Sequence, residues 1–317
     1  MSEGQSLEAI ANMAVDAAER AAIAASVLVG RGDKIAADQA AVDAMRTGLN
    51  AIPMRGRIVI GEGERDEAPM LYIGEEVGTG QGPEIDIALD PLEGTSLTAK
   101  GMNNALAVLS LAPRGGLLHA PDTYMDKIAA GPGLPANTVD LDASPAANVE
   151  AVAKAKGVKP EDVTVCVLDR ERHQHIIDSV RTVGARVLYI SDGDVAGVIA
   201  AADPAGQPDL YIGRGGAPEG VLGASALRCL GGQMQTRLHF RNDDERERAR
   251  RVGIADLDRK YDLTEMAHEH CLFVAAGVTQ GDLVDGVKHG PGYVETQTLL
   301  FSSVTGLRRV ITTRRPT

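Results

Sequence analysis

The second half of the chain alternates between short aliphatic and amphipathic segments, and this alternation restricts the fold more than any other feature. Residues 163–168, 185–190 and 210–213 have the composition of short buried strands. Residues 172–183 and 195–202, which lie between them, have the periodicity of helices. Alternating strands and helices predict a mostly parallel sheet with right-handed crossovers. The sequence therefore predicts an α/β protein.

Charged and glycine-rich residues follow each of these strands. They are Asp169–Arg172 after the first, Ser191–Asp194 after the second and Arg214–Glu219 after the third. Ligands of open α/β sheets bind beyond the carboxyl ends of the strands. The topology therefore predicts that these loops gather at one edge of the sheet.

Two arginines and two aspartates in these loops are candidates for substrate contacts. Arg170 and Arg172 are cations on an acidic chain, and a planar guanidinium suits a phosphate group. The alternative is that they are surface arginines paired with adjacent acids. Asp192 and Asp194 can accept hydrogen bonds from sugar hydroxyls, or they can cap the following helix.

A second candidate site begins where residues 84–89 end. This segment alternates polar and apolar residues like a half-buried strand, and Pro91 is expected to end the ladder. Asp90 would then lie at the end of the strand, with Glu93 close enough to face the same cation. The Leu92 carbonyl is a possible third ligand, since hard divalent ions prefer oxygen ligands.

The next residues, Gly94–Ser96, have the composition of a helix start. The first amides of a helix lack internal partners and can point at an anion. Metal and phosphate would then meet at one corner of the molecule. A capped turn with solvated acids is the structural alternative.

A further acidic segment, residues 58–67, also places acids after an aliphatic strand. Glu62 and Asp66 are the candidates there, and two glycines allow the backbone to approach a ligand closely. An exposed polar loop would have the same composition. Asp38 lies on the helical pattern of residues 35–49, where a single aspartate by itself favours an exposed structural position.

These motifs resemble a known enzyme family. The run Asp90–Ser96 is similar to the signature of the metal-dependent, lithium-sensitive phosphatase superfamily, which includes inositol monophosphatases and fructose-1,6-bisphosphatases. Residues 61–71 and 217–220 narrow the resemblance to the class II fructose-1,6-bisphosphatases of bacteria. The similarity extends from about Arg31 to the C-terminal region.

The resemblance implies a role for individual residues. Two or more Mn²⁺ or Mg²⁺ ions per site are expected, with Asp38 and Glu62 as ligands of one ion and Asp90, Glu93 and Glu219 as ligands of another. The implied substrate contacts are Glu93, Gly94, Thr95, Tyr124, Arg170, Glu171, Arg172, Asp192, Gly193, Asp194 and Gly216. Thr95 and Asp66 match the positions that activate the attacking water. Relatives commonly carry proline at Glu171 and a smaller or apolar residue at Arg214, so these departures bear on sugar preference.

The resemblance also implies a fold. It is a layered α-β-α-β-α sandwich of the sugar-phosphatase type, with the active site between two subdomains. We place the subdomains at residues 1–160, which hold the metal and catalytic residues, and 161–317, which bind substrate on a mostly parallel sheet. The boundary follows the loop-rich region of residues 113–145.

The activity implied is hydrolysis of the 1-phosphate of fructose 1,6-bisphosphate by metal-activated water, in the setting of gluconeogenesis. A dual enzyme that also cleaves sedoheptulose 1,7-bisphosphate in a carbon-fixation cycle is the closest alternative. An inositol-phosphate phosphatase would leave Arg170 and Arg172 without a second phosphate. A non-catalytic sugar-phosphate sensor would need neither Asp66 nor Thr95.

Composition restricts the possible partners. The net charge of −12 disfavours broad binding to nucleic acids or to anionic membranes. A small sugar bisphosphate remains compatible, because bound metals and local arginines can reverse the field at a site. The N-terminal residues lack the pattern of a secretory signal, so we expect a cytoplasmic protein. We also expect a homo-oligomer.

Overall fold

The structure is a computed structural model that describes residues 3–63, 70–203, 206 and 208–317. The chain divides into two compact units, one comprising Met1–His119 with Ala267–Thr317 and the other Ala120–Met266. Both units combine helices with a mixed sheet, as expected for an α/β protein.

The first unit contains an eight-stranded sheet in the order β12-β13-β11-β4-β3-β1-β2, with β14 paired to β13. Only β1 and β3 are paired in parallel among its described strands. Its elements are α1 (Glu3–Ser26), α2 (Lys34–Asn50), β1 (Arg55–Ile60), β2 (Glu76–Val77), β3 (Glu84–Glu93), α3 (Thr95–Lys100), β4 (Leu106–Pro113), β11 (Leu272–Gly277), β12 (Lys288–Gly290), β13 (Tyr293–Ser302) and β14 (Arg308–Pro316).

Helix α1 covers one face of this sheet with small and aliphatic side chains. Leu7, Ile10 and Ala14 are at most 3% exposed, and they belong to one core cluster with Leu109 and Val274 of the central strands. Alanines let the helix approach the sheet closely, and burial of the larger aliphatic side chains stabilises the contact by roughly 1.5–3 kcal/mol each. Helix α1 is therefore amphipathic, with its apolar face against the sheet.

The second unit contains a six-stranded sheet in the order β10-β9-β5-β8-β6-β7. Its aliphatic core lies between this sheet and helices α4 and α5. Its elements are β5 (Tyr124–Ala130), α4 (Pro145–Lys156), β6 (Thr164–Leu168), α5 (Gln174–Thr182), β7 (Arg186–Ile190), α6 (Asp194–Ala200), β8 (Leu210–Gly216), α7 (Ala217–Leu230), β9 (Gln233–His239), α8 (Asp243–Arg251), β10 (Lys260–Asp262) and α9 (Leu263–Met266), with 3₁₀ turns at Pro160–Asp162 and Glu171–His173.

The second sheet differs from the predicted mostly parallel one. Strands β6, β7 and β8 are parallel, but β5 pairs antiparallel with β8 and β9, and β10 pairs antiparallel with β9. The difference arises because β5 lies within residues 113–145, which have the composition of a loop-rich region and were not predicted to contain a strand. Its pairing joins residues 120–160 to the second unit, while β11, β13 and β14 return to the first sheet. The compact units are therefore divided differently from the predicted boundary near residue 160.

Strand β3 also differs from its prediction, because it continues through Pro91 to Glu93. Its pairing with β4 shifts register between Asp90 and Glu93, and its parallel pairing with β1 extends only to Ala88. Proline is tolerated at such a bulge because no regular ladder bond is required there. The strand is also more deeply buried than its alternation predicts, since it lies between β1 and β4.

A helix that spans a membrane must be both long and apolar. Over the residues that the structure describes, none of the helices is both long enough and apolar enough to cross a bilayer.

Candidate active site

Two carboxylates come together at the bulge that ends β3. Oxygens of Asp90 and Glu93 lie within 4.8 Å of each other, and Glu93 is only 5% exposed. The Leu92 amide donates to Asp90 Oδ1 at 3.0 Å, which fixes the turn between the two acids. Gly94 follows with φ of 87°, and α3 then begins at Thr95, as predicted. The bulge therefore directs two acids to one point.

The register of the first sheet brings Glu62 to the same edge. Ile60 pairs with Ala88 in the parallel pairing of β1 and β3, so Glu62 and Asp90 each lie two residues beyond this last pair. Both side chains are half-buried. Asp66, the second acid predicted for this segment, lies outside the described residues.

Asp38 lies on α2, which packs against β3 and α3. Its side chain is half-buried, and burial raises the pKa of the Asp38 carboxyl above its ordinary value. A carboxylate desolvated in this way is stabilised by a nearby cation. Asp38 is thus not the fully exposed residue that its helical position alone suggests.

The donors of the first unit fit a hard divalent cation. The close pair Asp90 and Glu93 offers only carboxylate oxygens, and one of the two side chains is buried. Two ionised carboxyls at such a distance repel each other unless a cation compensates them. All-oxygen donor sets suit Mg²⁺, Mn²⁺ or Ca²⁺ better than they suit Zn²⁺.

In the second unit, the loops that follow β6, β7 and β8 meet as predicted. Arg170 donates to the Ser191 carbonyl at 2.7 Å and lies 3.9 Å from Asp192. Arg172 donates to the Arg214 carbonyl at 2.8 Å. These bonds place cationic groups at the carboxyl ends of the parallel strands, where two of their donors are held by backbone carbonyls.

Tyr124 joins this arginine group through its ring. The guanidinium carbons of Arg172 and Arg241 lie 5.2 and 5.0 Å from the ring centroid, within the range of cation–π contacts. Tyr124 also pairs with Gly216 across β5 and β8. We refer to Arg170, Arg172, Arg241 and Tyr124 as the arginine cluster.

The sequence did not single out Arg241, because residues 241–251 have the composition of a solvated charged helix. The side chain of Glu245 is 1% exposed and accepts bonds from Thr123 Oγ1, the Arg241 amide and the Arg241 guanidinium. Burial alone would raise the pKa of Glu245, but these hydrogen bonds lower it below its ordinary value. Strand β9 pairs His239 with Tyr124, and Arg241 follows two residues later. This pairing, which the sequence does not show, brings Arg241 to the Tyr124 ring.

The two residues that depart from the family pattern have different surroundings. Glu171 is exposed in the 3₁₀ turn after β6. The Arg214 side chain binds both oxygens of Asp126, at 2.7 and 3.1 Å. The Arg214 carbonyl contacts the arginine cluster, because it accepts the bond from Arg172.

The remaining predicted acids of the second unit are Glu219, Asp192 and Asp194. Glu219 is half-buried in the first turn of α7, three residues after Gly216. Asp192 keeps a third of its side chain exposed, whereas Asp194 is buried against Lys127. Gly193 separates the two acids and precedes α6 with φ of 81°.

His173 links two of these loops in its neutral form. Its Nε2 accepts the Arg214 amide at 2.9 Å, so the proton must lie on Nδ1, which donates to the Leu168 carbonyl at 2.8 Å. Burial, assisted by the charge of Arg172, lowers the pKa of His173 below its ordinary 6.5. These contacts give His173 a structural role between the end of β6 and Arg214.

We expect His173 to make stability depend on pH. The unfolded chain takes up a proton near pH 6.5, whereas the folded chain does so only at lower pH. The stabilisation is therefore complete above that value and is lost as pH falls towards the folded pKa. Urea unfolding of His173→Gln should show a flatter pH dependence between about pH 5 and 7 and a loss of about 1–3 kcal/mol at neutral pH. His175→Gln, at an exposed position, is the control, and parallel wild-type and His173→Gln profiles would contradict the assignment.

Acids that can hold a divalent cation and arginines that can bind phosphate suit the hydrolysis of a phosphate ester. Comparison with known proteins shows that the chain is a phosphatase. The chain belongs to the family described as bacterial fructose-1,6-bisphosphatase, glpX-encoded, whose profile matches residues 8–315. It is accordingly a fructose-bisphosphatase, an enzyme that hydrolyses fructose 1,6-bisphosphate.

Curated relatives resemble the chain over nearly its whole length. A protein of Synechococcus sp. (strain JA-3-3Ab) named D-fructose 1,6-bisphosphatase class 2/sedoheptulose 1,7-bisphosphatase is 45% identical over 324 residues, covering 94% of this chain and 93% of the relative. A protein with the same name from Trichodesmium erythraeum (strain IMS101) is 44% identical, with 94% of each chain covered.

Among solved structures, the extragenic suppressor protein suhB from Bartonella henselae overlaps 61% of this chain and 73% of its own. The identity is 15% and the TM-score is 0.33. A similarity of this size supports no conclusion about fold or function.

Proposed function

We propose that the chain removes the 1-phosphate of fructose 1,6-bisphosphate and holds the distal phosphate with the arginine cluster. The observation that carries this proposal is the fixed geometry of Arg170 and Arg172, whose guanidinium groups are held at the strand ends by neutral backbone carbonyls, with Asp192 3.9 Å from Arg170. A phosphate with two negative charges is the natural partner of such a pair. A monophosphate substrate would not use both sites.

For the reacting phosphate we propose the acids of the first unit together with Glu219 of the second. Asp38 and Glu62 would hold one Mg²⁺ or Mn²⁺ ion, and Asp90, Glu93 and Glu219 would hold another. Divalent ions at such a site lower the pKa of a water molecule and neutralise charge on the phosphate. The motif of the family and the closeness of the two acids at the end of β3 support this assignment.

The remaining residues would orient the reactants. Thr95, directly after Gly94, would position the attacking water with its hydroxyl, and Asp66 would accept the proton. Glu93 and Gly94 would lie beside the reacting phosphate, while Asp192 and the backbone around Gly193 would contact sugar hydroxyls. In this scheme the water oxygen would attack the phosphorus directly and the C1 oxygen of the sugar would leave, so no covalent phosphoenzyme would form.

A second candidate function is cleavage of sedoheptulose 1,7-bisphosphate by the same site. The observation that favours it is the dual name of the relatives that are 44–45% identical to this chain. Both sugars carry a phosphate at each end, so the arginine cluster could hold the distal phosphate of either. A role in gluconeogenesis follows from the first activity and a role in carbon fixation from the second. We further propose a cytoplasmic homo-oligomer.

The test is phosphate release by the purified full chain from fructose 1,6-bisphosphate, sedoheptulose 1,7-bisphosphate and inositol 1-phosphate, with Mn²⁺, Mg²⁺ or chelator. Metal-dependent release of the 1-phosphate, leaving fructose 6-phosphate, is expected. Comparable turnover of the heptulose ester would establish the dual activity. Turnover of inositol 1-phosphate alone would refute the two-phosphate arrangement.

The arginine cluster gives a sharper prediction. Arg170→Gln and Arg172→Gln should each raise KM for fructose 1,6-bisphosphate at least about tenfold, because a charge-assisted bond contributes about 1.5–3 kcal/mol. The effect on kcat should be small, since the distal phosphate does not react. Arg251→Gln, at an exposed position on α8, is the matched control. Unchanged KM in both cluster variants would show that the distal phosphate binds elsewhere.

A further inference from the structure

A lysine, an aspartate and a tyrosine share one buried position in the second unit. Lys127 lies in β5 with its side chain fully buried, and its Nζ is 2.6 Å from Asp194 Oδ2. The Tyr211 hydroxyl of β8 donates to the same oxygen at 3.3 Å. Asp194 itself is 5% exposed. Both charges of this ion pair are therefore removed from water.

The backbone of β8 is shaped around this pair. A Cβ atom at Gly215 would lie 2.2 Å from Asp194 Oδ2 and 3.1 Å from Lys127 Nζ. A side chain at this point of β8 would displace the carboxylate, so the close approach requires glycine. Burial and the charge of Asp194 raise the pKa of Tyr211 well above its ordinary value, so the hydroxyl remains a donor.

The pair gives the two acids of the Ser191–Asp194 turn different roles. Asp194 begins α6 and is buried, and Lys127 and Tyr211 both donate to its Oδ2 oxygen. Asp192 keeps a third of its side chain exposed and lies 3.9 Å from Arg170. The sequence left both acids open to sugar hydroxyls, and in the structure Asp192 is the more exposed of the two.

We propose that Lys127 is a positioning residue that acts through Asp194 to hold the Ser191–Asp194 turn, so that Asp192 and Arg170 face the sugar bisphosphate. The inference rests on the proposed substrate role of Asp192. Replacing a buried ion pair by apolar groups often costs no stability, so stability alone does not account for retaining it. Here the pair ties β5 to the turn that carries Asp192, and Arg170 donates to Ser191 at the other end of that turn.

The test compares a charge-free variant with wild-type full-length enzyme. Lys127→Met/Asp194→Asn removes both charges together, which avoids leaving one of them buried alone. We expect a cooperatively folded protein whose KM for fructose 1,6-bisphosphate rises about tenfold while kcat changes less than about twofold, because substrate positioning is impaired and the reacting groups are untouched. Wild-type KM in the folded double variant would overturn the proposal.

A matched control separates positioning from general loss of structure. Lys156→Met/Asp209→Asn removes another ion pair of the same unit, away from the turn. Its KM should stay at the wild-type value. If both double variants raise KM equally, the effect is structural and the proposal fails. If Lys127→Met/Asp194→Asn does not fold, Lys127→Gln/Asp194→Asn, which also removes both charges but keeps a polar group at each position, carries the same expectation and the same refutation.

A mutant cycle with Asp192→Ala tests whether the Lys127–Asp194 pair affects KM through Asp192. Residues that act through one another show non-additive changes. On the Asp192→Ala background, the charge-free pair should raise KM no further than about twofold. Full additivity, or an Asp192→Ala variant with wild-type KM, would refute the positioning role. Wild-type turnover of fructose 1,6-bisphosphate with Mn²⁺ is measured alongside, and its absence would instead refute the proposed function.

Discussion

Asp90→Asn and Glu93→Gln are each expected to lower kcat/KM for fructose 1,6-bisphosphate at least about a hundredfold without unfolding the protein, since groups that stabilise developing charge contribute on this scale. The two carboxylates lie within 4.8 Å of each other at the bulge of β3. Neutralising one of them removes one of two neighbouring carboxylate donors for a divalent cation. The loss should also appear as weaker Mn²⁺ binding in calorimetry, independently of turnover.

Stability measurements separate this effect from misfolding. In chelator, both variants should keep the wild-type thermal midpoint within about 4 °C, because neutralising one of two neighbouring like charges costs little. Glu84→Gln is the control, since Glu84 is an exposed acid at the opposite end of the same strand. Full metal-dependent turnover in Asp90→Asn would exclude this pair from the catalytic machinery.

Gly61→Ala is expected to reduce both stability and activity through the backbone before Glu62. A Cβ atom at Gly61 would lie 2.1 Å from the Leu71 carbonyl oxygen, a backbone atom that cannot move aside cheaply. The same oxygen accepts the Glu62 amide at 3.0 Å. The variant should lose about 1–3 kcal/mol of unfolding free energy from overpacking. Displacement of Glu62 should lower kcat/KM by about tenfold or more.

The control for Gly61→Ala is Gly223→Ala in helix α7. There the nearest atom to a new Cβ is Val198 Cγ1 at 3.1 Å, the end of a side chain that can adjust. Thermal unfolding and steady-state kinetics of both variants give the comparison. Wild-type kinetics in Gly61→Ala would show that the segment before Glu62 does not contribute to the site.

The parts of the fold that were predictable from sequence are those with strong local periodicity. Helix α2 and the strands β6, β7 and β8 are found close to their predicted residues, because burial of one face imposes a regular spacing on each element. Strand β5 was not predicted, since residues 113–145 are rich in glycine and proline. Its antiparallel pairing with β8 and β9 is a long-range property that no local pattern contains.

The candidate site divides in the same way. Local spacing was enough to predict that Asp90 and Glu93 would lie close together. The two acids are three positions apart in the chain, so the local backbone alone determines the distance between them. Strand topology was enough to bring the loops of Arg170, Asp192 and Arg214 together. The contributions of Lys127, His173 and Arg241 were not predictable, because each depends on which distant strand lies beside it.

The acids after β1 and β3 and the arginines after β6 could be recognised from the chain alone as candidates for binding metal and phosphate. These residues are specified by type and by position at the end of an apolar segment, and both can be read along the chain. Tertiary structure alone decided which acid faces solvent and which faces a buried lysine. The reason is that burial depends on packing between strands far apart in sequence, so Asp192 and Asp194, equivalent in the sequence, acquire different surroundings only when β5 and β8 pair.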